Sequence, residues 1–249
     1  MKFAMVCEAP ADRQVAQGLA DRVILEIVDW ADGNLHALRE WCDSVTVNGE
    51  NWSLEWTAIK RLAKGLNLRI HGHFDGEPGA PDAATARRAV LVLQKTIDPK
   101  AVFLIRDADN HPERRKGLGQ AREHFAAHPL RVVIGLSNPE REAWVLAGFV
   151  AKGDLERKLL ADERQNLGFD PCERSEELTA GQDDTAKRSP KRVLSLLTNA
   201  SLDREFECWE QTSLDVLRSR GKANGLTEYL NEVKTLIVPL FGGRKQPQS

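Results

Sequence analysis

The most constraining feature of this chain is a short apolar run that ends in two aspartates. Residues Val102 to Ile105 are all apolar, and Asp107 and Asp109 follow directly after Arg106. A run of this length, bounded by polar residues, is typical of a strand buried on both faces of a parallel sheet. Because open parallel sheets bind ligands at the carboxyl ends of their strands, the two carboxylates are candidate ligands of a hard cation. An aspartate pair is also common in plain strand-exit turns.

Three further apolar segments, 3–7, 66–70 and 131–136, are predicted strands, and helical periodicity lies between them. Four strands alternating with helices predict an α/β fold with a four-stranded, mostly parallel sheet flanked by helices. Residues 162–190 are polar and rich in Gly and Pro, which predicts an extended or partly disordered connection, and helical patterns return from residue 193. We therefore predict an α/β domain over residues 1–150 and a helical C-terminal extension over 151–249.

Composition narrows the function classes. The 249 residues include 35 Lys and Arg against 37 Asp and Glu, so any contact with nucleic acid must be a local basic patch. The four cysteines form no CxxC pair and no zinc-ligand spacing, which favours buried reduced thiols. No signal-peptide pattern and no apolar run of membrane-spanning length occurs, so we expect a cytoplasmic protein without membrane contact.

Acidic residues follow three of the predicted strands. Glu8 follows the first strand, Asp107 and Asp109 follow the third, and Glu140 and Glu142 open the helix after the fourth. The carboxyl ends of parallel strands meet at one edge of a sheet, so these acids are expected to converge. Clustered carboxylates repel one another and raise each other's pKa unless a divalent cation neutralises them. The sequence therefore predicts a magnesium site.

The order of these acids, followed by the segment Asn138-Pro139-Glu140-Arg141-Glu142-Ala143-Trp144, resembles the TOPRIM superfamily. The chain is most similar to small bacterial TOPRIM-like proteins related to RloB and to the nuclease domain of OLD-family proteins. The resemblance covers about residues 1–150, and the Pro-Glu-x-Glu-Ala-Trp segment is its most distinctive part. The chain departs from a minimal TOPRIM domain in its long insertion between the first acid and the aspartate pair, and in its helical C-terminal part.

The resemblance implies a nuclease that uses Mg²⁺ or Mn²⁺ to hydrolyse phosphodiester bonds of DNA or RNA. Glu8 would assist proton transfer or complete the metal shell, Asp107 and Asp109 would hold the ion, and Glu140 or Glu142 would add a ligand. In this family a basic residue of the C-terminal part assists catalysis, and Lys191 is the candidate.

Two basic clusters are candidates for holding phosphates. A solvated helix face and a basic loop are the structural alternatives. The candidate nucleic-acid-binding residues are Arg114, Arg115 and Lys116 after the aspartates, and Lys187, Arg188 and Arg192 around residues 189–190.

The resemblance also implies partners and a biological role. Proteins of this type are often encoded beside an ABC- or SMC-type ATPase, and the chain lacks a G-x-x-x-x-G-K-[ST] loop of its own. We therefore expect a separate ATPase subunit and a role in bacterial antiviral defence. Assembly into a homo-oligomer is compatible with the sequence.

Other chemistries remain open at this point. His71-Gly72-His73-Phe74-Asp75 resembles the HxHxD core of zinc hydrolases, and His71 and His73 are kept as second-rank site residues. The Asp107-Ala108-Asp109 pattern also occurs in haloacid-dehalogenase-like phosphatases and in sugar-nucleotide transferases. A non-catalytic TOPRIM-like subunit that binds nucleic acid or an ATPase, and a phosphatase of small esters, are the alternative functions.

Overall fold

The computed structural model describes residues 1–70, 72–74, 76–109, 111, 113–179, 181 and 183–242. Its strands are β1 (Lys2–Val6), β2 (Glu40–Cys42), β3 (Ser44–Val47), β4 (Glu50–Ser53), β5 (His73–Phe74), β6 (Glu77–Pro78), β7 (Ala101–Asp107) and β8 (Arg131–Ser137). Strands β2, β1, β7 and β8 form one sheet in that order, and every neighbouring pair in it is parallel. Strands β3 with β4, and β5 with β6, form two small antiparallel hairpins.

Helices flank the sheet and make up the C-terminal part. They are α1 (Pro10–Ile27), α2 (Leu35–Leu38), α3 (Trp56–Gly65), α4 (Ala83–Thr96), α5 (Arg114–Glu123), α6 (Arg141–Ala147), α7 (Gly153–Leu167), α8 (Pro190–Thr198), α9 (Leu202–Glu210), α10 (Leu214–Arg220) and α11 (Leu226–Glu232), which continues as a π-helical turn to Ile237. This architecture confirms the predicted α/β class, with a four-stranded parallel sheet, flanking helices and a helical C-terminal region.

Alternation along the central strands divides the core into two layers. Phe103 and Ile105 of β7 belong to one buried cluster, together with α1 and the C-terminal helices. Val102 and Leu104 belong to the other, together with α3, α4 and α5. Both faces of the sheet are therefore covered, which explains why β7 is an uninterrupted apolar run.

One of the four predicted strands is wrong. Segment 66–70 forms no strand, since the Leu68 N–H donates to the Ala63 carbonyl (2.9 Å) and closes the end of α3. Leu66 and Leu68 instead pack against the α3–α5 layer. The fourth strand of the sheet is β2, whose three residues are too few to give a periodic signal.

The prediction of an extended connection over 162–190 is also wrong in part. Helix α7 continues to Leu167, and Phe169, Cys172 and Leu178 are buried in the core. Glu163 accounts for part of the polar appearance of this segment, because its carboxylate is buried and forms an ion pair with Arg192.

The sequence pattern predicts helices that start at Ser53, that span about 112–127 and that run from 138 to about 150, and the structure shifts each of these boundaries. Ser53 ends β4, and α3 begins three residues later. Helix α5 ends at Glu123 rather than near residue 127, and the helix predicted over 138–150 covers only Arg141–Ala147. Within the described residues, no helix combines the length and the apolar character needed to cross a bilayer.

Close packing of α5 against the start of α4 gives a test of this arrangement. A Cβ atom on Gly117 would lie 1.8 Å from the Pro81 carbonyl oxygen, whereas one on Gly119 would meet nothing within 4 Å. Gly117→Ala should therefore cost about 2 kcal/mol or more of unfolding free energy, while Gly119→Ala should stabilise α5 by up to about 1 kcal/mol. Urea denaturation of both variants measures the difference. Equal effects of the two substitutions would contradict the packing.

Candidate active site

The parallel register places the C-terminal ends of β7 and β8 next to each other. Asp107 lies opposite Ser137, and the pairing continues past the strands, where the Ala108 N–H donates to the Ser137 carbonyl (2.7 Å) and the Asp109 N–H donates to the Pro139 carbonyl (3.2 Å). Asp109 has a φ of 45°, a left-handed conformation that Asp tolerates better than most residues. The turn after β7 is thus fixed to the turn before α6.

A cavity of about 500 Å³ lies at this edge of the sheet. Six carboxyl side chains and two basic side chains line it, so carboxylates are in excess. The lining consists of Glu8, Ala9, Ala11, Asp12, Asp107, Asp109, Glu140, Arg141, Glu142, Gly181 and Lys191. The acids predicted from the sequence to converge, Glu8, Asp107, Asp109, Glu140 and Glu142, all line this acidic cavity, and so does Lys191.

Asp107 is the central acid of the cavity. Its Oδ1 atom accepts hydrogen bonds from the Ser137 hydroxyl (2.5 Å) and from the Arg141 backbone N–H (3.0 Å). Burial raises the pKa of Asp107 to about 8, with further contributions from the nearby carboxylates of Asp12, Glu8 and Glu142. Without a compensating cation, Asp107 therefore carries a proton at neutral pH.

Glu8 reaches the cavity from the end of β1. The Trp56 N–H donates to the Cys7 carbonyl (3.1 Å) and holds the chain just before Glu8. Glu8 Oε1 is buried and has no hydrogen-bond partner among the described residues, and it lies 3.7 Å from Arg106 Nη1. Burial raises the pKa of Glu8, while the Arg106 guanidinium opposes that shift.

Two arginines next to the cavity share one anchor. Arg106 Nε and Arg114 Nε each lie 3.2 Å from Asp82 Oδ2. Asp82 precedes α4 as its N-cap residue, but its side chain makes no capping hydrogen bond. The Arg106 guanidinium lies over the Trp56 ring, 5.2 Å from its centroid. Asp82 therefore holds two cations at the acidic edge rather than capping its helix.

Asp12, Arg141 and Glu205 were not predicted as site residues. Asp12 is buried, accepts the Ala9 N–H (2.8 Å) and lies 3.6 Å from Arg141 Nε. Arg141 Nη2 donates to Glu142 Oε1 (2.7 Å), and its Nη1 lies 3.8 Å from Glu205 Oε2. Burial raises the pKa of both Asp12 and Glu205. Asp12 sits at a capping-box position, where an acid has an ordinary structural reason, so the sequence alone gave little signal of a site role.

Lys191 is the contribution of the C-terminal helices to the cavity. It lies at the start of α8, with Nζ 3.7 Å from Glu140 Oε2 and 3.0 Å from Asp184 Oδ1. The hydrogen bond to Asp184 raises the pKa of Lys191, with a further contribution from Glu140. Burial and Glu142 raise the pKa of Glu140, while Lys191 opposes that shift.

The remaining basic candidates lie outside the described lining of the cavity. Arg115 pairs with Glu228, and Lys116 is exposed on α5. Arg188 lies over the Phe169 ring, and Arg192 pairs with buried Glu163 and donates to the Lys187 carbonyl. Arg188 and Arg192 thus have structural contacts of their own, and Lys187 is exposed.

The histidine pair stays a second-rank hypothesis. His73 is exposed on β5, and the described lining of the cavity does not include it. His71 lies outside the described residues.

The carboxylate oxygens of the cavity are suitable ligands for a hard divalent ion, although they do not surround a common point in this structure. No three His, Cys, Asp or Glu side chains in the described part of the chain form a ready-made metal site. Carboxylate oxygens are nevertheless the preferred ligands of Mg²⁺, and a divalent ion would favour the ionised form of Asp107 and stabilise Glu8 Oε1, which accepts no hydrogen bond from the described residues. Glu8, Asp107 and Asp109 would be the residues that hold such an ion.

Comparison of the chain with models of protein families, with curated proteins and with solved structures finds no match.

The raised pKa of Asp107 predicts a specific pH dependence of stability in the absence of divalent ions. The folded protein holds the Asp107 proton up to about pH 8, whereas the unfolded chain releases it near pH 4. The folded state binds more protons in this window, so the contribution of Asp107 to stability falls as pH rises. Asp107→Asn should remove that loss, because the amide is neutral and keeps an acceptor for Ser137.

The variant should therefore gain stability over the wild type as pH rises from about 5 to about 8. Thermal unfolding in EDTA, followed by circular dichroism across that range, measures the effect. Parallel curves for the two proteins would show that Asp107 is already ionised.

Proposed function

We propose that this protein is a Mg²⁺- or Mn²⁺-dependent TOPRIM-like nuclease that hydrolyses phosphodiester bonds of DNA or RNA. The observation that carries the proposal is the convergence of Glu8, Asp107, Asp109 and Glu140 on one cavity at the carboxyl edge of a parallel sheet. These residues come from three separate strand ends, and their order along the chain is the one that resembles TOPRIM.

The side chains of the cavity support distinct roles. A divalent ion bound by Asp107 and Asp109 would polarise a phosphoryl oxygen and activate a water molecule. Glu8, whose pKa is raised by burial, is a stronger base than an ordinary carboxylate and is suited to accept a proton from that water. Lys191 keeps its positive charge, since its pKa is raised, and it can stabilise charge that develops on the phosphate.

The charge balance implies an order of binding. Six carboxyl groups and two basic groups line the cavity, so an unaccompanied phosphate would be repelled. A divalent ion lowers this negative charge and bridges the carboxylates to the phosphate oxygens. The nucleic acid is therefore expected to bind the active site after the metal ion.

A groove beside the cavity favours a polymeric substrate over a small phosphate ester. Cavities of about 460 and 570 Å³ adjoin each other and share Lys222 and Glu228. Ala108 lines the first, which places this side groove next to the aspartate pair. Arg115 and Lys222 line its near part and Arg122 its far part. Lys222 is exposed and can hold a phosphate beyond the scissile bond, whereas Arg115 and Arg122 form ion pairs with Glu228 and Glu232 of the same groove.

The proposal includes a partner and a setting. Because the sequence has no phosphate-binding loop of the Walker type, a separate ABC- or SMC-type ATPase would supply any nucleotide-driven step. Antiviral defence in bacteria is the proposed context.

A non-catalytic TOPRIM-like subunit is the second candidate function. The arginines favour it, because Arg106, Arg114 and Arg141 already neutralise part of the acidic cluster. Calorimetric titration separates the two candidates: the subunit would bind its partner without taking up Mn²⁺, whereas the nuclease would take up Mn²⁺ alone.

A nuclease assay tests the leading proposal. The protein is incubated with labelled single-stranded and double-stranded DNA and RNA in Mg²⁺ or Mn²⁺, with and without the proposed ATPase subunit. We expect metal-dependent cleavage that falls about a hundredfold or more in Asp107→Asn and Glu8→Gln. Glu50→Gln, an exposed acid on β4, is the matched control and should cleave like the wild type. Equal cleavage by all four proteins would refute the assignment.

A second experiment tests the side groove. Lys222→Glu reverses an exposed charge in the groove, so KM for an oligonucleotide should rise about tenfold. Turnover of bis(p-nitrophenyl) phosphate, which is too small to reach the groove, should stay unchanged. Lys60→Glu reverses an exposed charge on α3 that lines neither cavity, and it serves as the control. An equal rise in KM in both variants would mean that only overall charge matters.

A further inference from the structure

Arg114 lies against carboxylate oxygens of two of the proposed metal ligands, Asp109 and Glu8. Its Nη1 donates to Asp109 Oδ2 (2.8 Å) and to the Asp107 backbone carbonyl (2.5 Å), and it lies 3.9 Å from Glu8 Oε1. One nitrogen therefore lies against a carboxylate oxygen of Asp109 and the main-chain oxygen of Asp107, with a carboxylate oxygen of Glu8 slightly further away. A guanidinium is always protonated at physiological pH, so this nitrogen brings a permanent positive charge to the metal position.

A second acid, Asp82, holds the Arg114 side chain in position at its Nε atom. Arg114 Nε lies 3.2 Å from Asp82 Oδ2, and the side chain is only 12% exposed. Gly117, one turn further along α5, allows that helix to touch Pro81 directly, which fixes the distance between Arg114 and Asp82. The guanidinium thus joins Asp82, on the outside of the cluster, to Asp109 on the inside.

We infer that Arg114 is a resident counter-ion that exchanges places with the divalent ion at Asp109 and Glu8. This inference rests on the proposed function and specifies how the same site is loaded. A divalent ion and the guanidinium nitrogen compete for these oxygens, because the two cations repel each other at contact distance. When the ion binds, Arg114 keeps its contact with Asp82, and its Nη groups become free to donate to a phosphate oxygen.

The exchange links metal binding to substrate binding. Before the ion arrives, Arg114 lowers the repulsion between the carboxylates and competes with the metal. Once displaced, it becomes a phosphate-binding group beside the metal. Loss of Arg114 should therefore change the two affinities in opposite directions, which a merely structural arginine would not do.

Arg115 provides a matched control for the Mn²⁺ affinity, although not for oligonucleotide binding, because it belongs to the side groove. It carries the same charge on the next residue of α5, but it pairs with Glu228 and lines the side groove instead of the acidic cavity. Arg115→Gln removes the same long-range charge as Arg114→Gln without freeing the oxygens of Asp109 and Glu8. A difference between the two variants therefore isolates the direct contact.

The experiment is a Mn²⁺ titration of the full chain near pH 7, followed by electron paramagnetic resonance of free Mn²⁺. Arg114→Gln should lower the Kd for Mn²⁺ about tenfold or more, because a charged hydrogen-bond donor no longer competes for the ligands. Arg115→Gln should change it by less than about twofold, since a charge in solvent is screened. Fluorescence anisotropy with Ca²⁺ and a labelled oligonucleotide should show weaker binding by Arg114→Gln.

The outcomes separate this inference from the proposed function. If wild-type protein binds no Mn²⁺, both fail. If it binds Mn²⁺ and Asp107→Asn abolishes the binding, but Arg114→Gln binds as the wild type or more weakly, only the role of Arg114 is overturned. Should Arg114→Gln not fold, Arg114→Lys answers the question, because one ammonium cannot contact Asp82 and Asp109 together. Tighter Mn²⁺ binding by that variant supports the exchange, and unchanged or weaker binding overturns it.

Discussion

The parallel pairing of β1, β7 and β8 is the constraint on which the candidate site depends. Parallel strands end at the same edge, so the residues that follow them must share one region of space. The register then fixes the details, since Asp107 lies opposite Ser137 and the two exit turns stay hydrogen bonded as far as Pro139. Burial on both faces holds this register, because a slip by one residue would turn the apolar side chains of β7 to the wrong layer.

The electrostatics of the site follow from placing acids at a half-buried edge. Burial raises the pKa of Glu8 and of Asp107, and the neighbouring carboxylates add to the shift at Asp107. Two features offset the negative charge of the carboxylates: a proton on Asp107, and arginines beside Glu8 and Asp109. The proton and each guanidinium group carry a single positive charge. A site neutralised in this manner needs no metal ion to balance its charge, and under the proposed function a divalent ion would take the place of these cations.

How far the sequence predicts this molecule depends on whether a signal is local. The β7 run and its two aspartates form a local pattern, and the structure agrees with it closely. Segment 66–70 has the same apolar character but closes a helix, and β2 is too short to stand out, because its place in the sheet comes from pairing with β1. The ion pairs of Arg106 and Arg114 with Asp82 depend on tertiary contacts that no spacing along the chain reveals.

The C-terminal helices are part of the site's support, although they carry few of its acids. Asn224 is fully buried just before α11. Its main-chain carbonyl accepts hydrogen bonds from the Asn138 backbone N–H and from Trp144 Nε1. Its side-chain amide donates to the Ala143 carbonyl. These contacts hold both ends of the segment that contains Glu140 and Glu142. Lys191 reaches the cavity from the same helical region. The geometry of the acidic cavity is therefore set jointly by the sheet and by the helices packed beneath it, so a change deep in that helical layer can alter the site without touching any of its acids.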